Sequence, residues 1–118
     1  MEPKERDIEF PRGDTCPLKF NLLDNNKNPL ELTTNDEMYF TVKKNFNTRE
    51  VVFQKKFSFG EIQKDDDGYK IILTPEDTAQ LNYGSYVFDI CIKSTDLTRT
   101  LAIGTLTLTN EVTFKSNE

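Results

Sequence analysis

The chain has no histidine, no tryptophan and only two cysteines, Cys16 and Cys91, among its 118 residues. Without histidine no side chain has an ordinary pKa near neutrality, so His-based triads and His-ligated metal sites are excluded. Cysteines so far apart make no CxxC redox motif. Long hydrophobic runs are missing too. No stretch has the apolar length of a signal-peptide core or a membrane span, and the N-terminus, Met1-Glu2-Pro3-Lys4-Glu5-Arg6-Asp7, is polar. There is no Asn-x-Ser/Thr sequon. The expected location on synthesis is therefore a cytosol, without export through a signal peptide. Basic charge is in short supply: Lys plus Arg is 15 against 20 Asp plus Glu, a formal net charge of -5. That field repels phosphate backbones and anionic bilayers, so neither nucleic acid nor membrane is an expected partner. The only basic pairs, Lys43-Lys44 and Lys55-Lys56, fall inside expected strands and read as solvated faces, to which no site is assigned.

What the chain does have is alternation. With 36% apolar and 30% charged residues it fits one globular domain, large enough to bury a core without metals or disulfide staples. Apolar residues recur with period two, separated by turn residues at intervals of about ten. Ile8 and Phe10 form a short first strand before Pro11-Arg12-Gly13-Asp14. Cys16, Leu18, Phe20 and Leu22 form a second, ending at Asp24-Asn25-Asn26. Met38, Phe40 and Val42 belong to a third. Residues 51–59 place Val51, Phe53, Phe57 and Phe59 on one face with Lys55 interrupting, the mark of an edge strand carrying a charge against aggregation. Asp65-Asp66-Asp67-Gly68 supplies a hairpin signal before Tyr69, Ile71 and Leu73. Thr74-Pro75-Glu76-Asp77 starts the one helical turn. Tyr86, Phe88, Ile90 and Ile92 make a central strand, and the last strand changes phase at Gly104, where a bulge is expected. The fold class is all-β: an immunoglobulin-like antiparallel β-sandwich of about seven strands with one short helical turn. The buried tryptophan and inter-sheet cysteine pair of antibody domains are missing, and a small barrel is the alternative architecture. The expected division is a tail over 1–7, a domain over 8–114 and a tail over 115–118. Cys16 and Cys91 lie in different phases of their strands, so both are expected as free thiols.

Few constellations suggest chemistry. Arg12-Gly13-Asp14 matches the integrin-binding tripeptide but reads as a tight turn. Asp65-Asp66-Asp67-Gly68 and Asp24-Asn25-Asn26 lack the spread of oxygen ligands a calcium loop needs, so no metal or cofactor is assigned. Aromatics are the richer signal, with nine Phe and four Tyr. Phe46 falls in a polar turn, and Phe57 and Phe59 close the expected edge strand. Together with Lys55 these are the candidate partner-binding residues. Tyr39 and Tyr83 are candidates for a sugar-binding platform.

Several motifs line up in order: Arg12-Gly13-Asp14-Thr15 before Leu18, Phe20 and Leu22; Asn28-Pro29-Leu30-Glu31-Leu32-Thr33; Phe40-Thr41-Val42-Lys43; Asp67-Gly68-Tyr69-Lys70-Ile71; Leu73-Thr74-Pro75-Glu76-Asp77-Thr78; Tyr83-Gly84-Ser85-Tyr86-Val87-Phe88-Asp89-Ile90; and Gly104-Thr105-Leu106-Thr107-Leu108. Over roughly residues 8–114 the chain resembles the N-terminal domain of phage baseplate upper proteins. The resemblance implies an immunoglobulin-like sandwich in a tailed-phage particle, acting in assembly without catalysis. The helical and receptor-carrier regions of full baseplate proteins do not follow Glu118, which points to a stand-alone virion or prophage accessory protein. Its expected partners are other phage structural proteins or itself, as a homo-oligomer. The alternative is a small acidic inhibitor of a host defence protein, which would present carboxylates to a basic channel.

Overall fold

In the computed structural model, which describes residues 4–24, 26–33, 35–66, 68–95 and 97–110, the alternating pattern becomes eight strands and one short helix. The strands are β1 (Lys4–Pro11), β2 (Cys16–Phe20), β3 (Glu37–Lys43), β4 (Phe53–Lys56), β5 (Ile62–Asp65), β6 (Gly68–Leu73), β7 (Gly84–Lys93) and β8 (Thr98–Thr109), with α1 (Pro75–Thr78) between β6 and β7. They build a five-stranded sheet in the order β1-β8-β7-β3-β4 and a three-stranded sheet in the order β2-β6-β5. Inward-facing residues of both sheets form one core, so the chain is the all-β sandwich its alternation called for.

Aromatic packing joins the two layers. Phe20 of β2 and Phe88 of β7 meet edge-on with centroids 6.1 Å apart, and Phe40 of β3 lies 5.4 Å from Phe88 and 6.5 Å from Phe20. All three are almost completely buried. In antibody domains a disulfide and a tryptophan link the corresponding strands; here three phenylalanines do so with dispersion and edge-to-face contact. The corner before β7 also follows the immunoglobulin pattern, since the Tyr86 hydroxyl donates to the Asn82 carbonyl at 2.9 Å. The helical turn stands where expected. Pro75 occupies its first turn, and the Asp77 carboxylate accepts the Thr74 N–H at 2.8 Å.

Several expectations change. Residues 4–7, read as tail, belong to β1, which pairs Lys4 with Ala102 and runs parallel to β8, so the sandwich is not antiparallel throughout. The outward acids Glu5, Asp7 and Glu9 had hidden the length of this strand.

Residues 51–59 are not one strand. At Lys56 the backbone N–H donates to the Glu61 carboxylate at 3.0 Å and the carbonyl accepts the Glu61 N–H at 3.2 Å. Phe57–Phe59 then turn as a 3-10 segment closed by Gly60 at φ 76°, and β5 starts in the other sheet. This gives eight strands in place of seven.

The slip in β8 lies at Leu101, between the pairs Ile90–Ala102 and Cys91–Thr100, and not at Gly104. Gly104 answers a different need, because a Cβ there would collide with the Arg6 carbonyl on β1. Gly68 likewise gives room to the Phe20 carbonyl rather than adopting a left-handed turn conformation. The expected end of the domain at 111–114, the tail over 115–118, and Asn25 and Asp67 in their acidic turns lie outside the described residues.

Candidate interaction face

The four residues singled out from the sequence separate into two pairs. Lys55 points into the sandwich. Its Nζ sits 2.9 and 2.8 Å from the two carboxylate oxygens of Asp77, with the side chains only 11% and 15% exposed. The cation is satisfied by the chain's own acid, which also holds the first turn of α1. Phe57 packs edge-on against Tyr69 at 6.1 Å and is partly buried against the core. Phe46 and Phe59 stay exposed, at 59% and 69%.

These two exposed rings flank the outer face of the five-stranded sheet. Register sets that face: Tyr39 lies opposite Cys91 and Lys56, Thr41 opposite Asp89 and Gln54, and Lys43 opposite Val87. With Arg49 and Val51 from the β3–β4 connection, and Lys93 at the end of β7, these side chains line an open depression of about 510 Å³. Lys56 Nζ stands between two rings, 4.9 Å from the Phe59 centroid and 5.6 Å from that of Tyr39, while Lys93 Nζ is 5.9 Å from Tyr39. These distances lie within cation–π range. Phe46 lines a smaller hollow of about 100 Å³ alongside Lys43, Val87 and Asp89.

Electrostatically the face is divided. Its β3–β4–β7 half carries Lys43, Arg49, Lys56 and Lys93. Its two perturbed acids shift in opposite directions. Burial holds the Asp89 carboxyl above its usual pKa, against the pull of Lys43. Burial also acts to raise Glu37, but hydrogen bonds from Ser58 and the Met38 N–H, with Lys56 nearby, outweigh it and bring the pKa below its usual value. The opposite half, along β1, presents Glu5, Asp7 and Glu9, with Asp7 accepting the Thr105 hydroxyl at 2.8 Å. Between the halves runs a strip of small or branched side chains in which Ser85 and Thr107 hydroxyls meet at 3.2 Å.

This arrangement is suited to contact. Both cysteines are free. Burial raises the Cys16 and Cys91 thiols above their ordinary pKa, leaving them protonated and poor nucleophiles at neutral pH. Among the described residues no three Cys, Asp or Glu side chains converge as metal ligands, and no helix is long and apolar enough to cross a membrane. Tyr39 and Tyr83 cannot form one platform. Tyr39 is level with Cys91 whereas Tyr83 precedes Gly84, a separation of roughly 25 Å along β7 at about 3.3 Å per residue. The Arg12-Gly13-Asp14 turn is structural: Arg12 donates to the Leu81 carbonyl at 3.0 Å and covers the Tyr83 ring at 4.3 Å, while the Gly13 N–H donates to Thr78 Oγ1 at 2.9 Å.

Sequence reasoning missed Tyr39 as part of this face, and with it Lys43, Arg49, Val51, Lys56 and Lys93. The available signal was the two lysine doublets, each of which sends one member to the face. No protein-family model matches the chain, and no curated protein matches it in sequence.

Proposed function

We propose that this chain is a non-catalytic β-sandwich module of a phage or prophage particle, part of a tail or baseplate, which holds neighbouring proteins through the β3–β4–β7 outer face. The observation that carries this reading is the gathering of Tyr39, Phe46, Val51 and Phe59 with four cations on one face of a chain whose net charge is -5. Exposed aromatics and an arginine are residue types enriched in recognition surfaces, where rings give buried area, while the lysines around them give orientation and speed of encounter. The particle context rests on the ordered motifs that resemble baseplate upper proteins. Co-purification with tail proteins encoded in the same locus tests the reading. Capture by the wild type and its loss in Phe59→Ala/Lys56→Glu supports it; equal capture by the variant contradicts it.

The acidic strip of Glu5, Asp7 and Glu9 favours a second reading, in which the chain inhibits a host defence nuclease by occupying its basic channel. Host interference that is unchanged by expression of the protein removes that reading.

A further inference from the structure

Resting on the reading of this face as the contact surface, we infer that its occupant is a second copy of the chain, packed face to face so that the acidic β1 half of each copy lies over the basic β3–β4 half of the other.

Three observations lead there. First, the charges complement one another. Glu5, Asp7 and Glu9 project from one edge strand of the five-stranded sheet, and Lys43, Arg49 and Lys56 stand at or beside the other edge. A two-fold axis parallel to the strands exchanges the two edges and brings each acidic strip over a basic one. The contact is then self-complementary and stops at two.

Second, the size suffices. Five strands about 4.8 Å apart and roughly seven residues long make a face of about 24 by 23 Å, roughly 550 Å² per copy before side-chain relief is counted. Two copies therefore cover about 1,100 Å², above the ~1,000 Å² expected of a specific contact.

Third, extension of the sheet past its β4 edge is obstructed. Strand β4 has only four residues, and Glu61 occupies both backbone groups of Lys56, which blunts it as a pairing template. The middle strip, where Ser85 lies opposite Thr107 and Val87 opposite Thr105, carries small or branched side chains that permit close approach of the faces themselves.

Sedimentation equilibrium tests the inference. Wild type in about 20 mM salt is expected to give one species of twice 13.7 kDa, reverting towards monomer near 500 mM, where the screening length falls to a few ångströms. This salt response needs no variant. Lys43→Glu/Lys56→Glu and Glu5→Lys/Glu9→Lys, each with a wild-type unfolding transition, are expected to be monomers alone and to dimerise when mixed, at least tenfold more tightly than either pairs with itself. A monomeric wild type at low salt, assemblies growing beyond two, or a mixture that stays monomeric would overturn the inference. A monomer that still captures a tail protein through Lys56 and Phe59 removes self-pairing and leaves the proposed function standing. A dimer indifferent to tail proteins does the reverse.

Discussion

Phe88 touches both other rings of the inter-sheet cluster, so truncating it removes contacts from two strands and leaves a cavity where little can collapse. Phe88→Ala is expected to lose about 3–5 kcal/mol in urea unfolding. Lys55 and Asp77 make an unequal pair. Asp77→Ala strands a buried ammonium and also deprives the Thr74 N–H of its acceptor, a loss of about 3–5 kcal/mol. Lys55→Met leaves a carboxylate that still holds Thr74, so it is expected to be distinctly milder in the same denaturation. Asp89 gives a pH signature. Its folded pKa is raised above 3.8, so the fold disfavours its charged form; the penalty is present above the folded pKa and is relieved as pH falls through it. Asp89→Asn should therefore raise the thermal midpoint at pH 7, with the gain vanishing below about pH 3.8. Glu37, whose pKa is lowered, has the opposite sign: its contribution is present above 4.5 and lost as acid protonates it in the fold.

At the scale of elements, β1 depends on one position in β8. Gly104→Ala drives a methyl group into the Arg6 carbonyl, so hydrogen exchange is expected to quicken across β1 while β7 keeps its protection; unchanged exchange in β1 would contradict the close approach. Elements specified by adjacent residues could be read from sequence, as the strict alternation of β7 and the Thr74-Pro75 start of α1 show. Elements set by distant partners could not. The break after β4 is made by Glu61 gripping Lys56, and the parallel course of β1 by its seat beside the last strand. The phase change in β8 was visible, but Leu101 is buried despite being the extra residue, which moved the apparent slip to Gly104. The same division holds for the face. Phe46 stood out in a polar turn and Phe59, with Phe57, at the end of an expected edge strand, whereas Tyr39, Lys43, Lys56 and Lys93 come together only when three strands pair. Lys55 was misleading because the acid that neutralises it follows in another element, 22 residues on.

For the whole molecule, net charge hides its arrangement. A chain at -5 carries a basic half-face bordered by exposed rings, and in the proposed self-pairing that asymmetry, rather than the total, sets how two copies meet. The most direct measurement is a dilution series of amide-resolved NMR spectra at low salt. If two copies pair through this face, concentration-dependent shifts are expected along β1 and at Tyr39, Thr41, Lys43, Lys56 and Asp89, with β2, β5 and β6 unchanged. Shifts centred on the three-stranded sheet, or none at all up to millimolar protein, would contradict it.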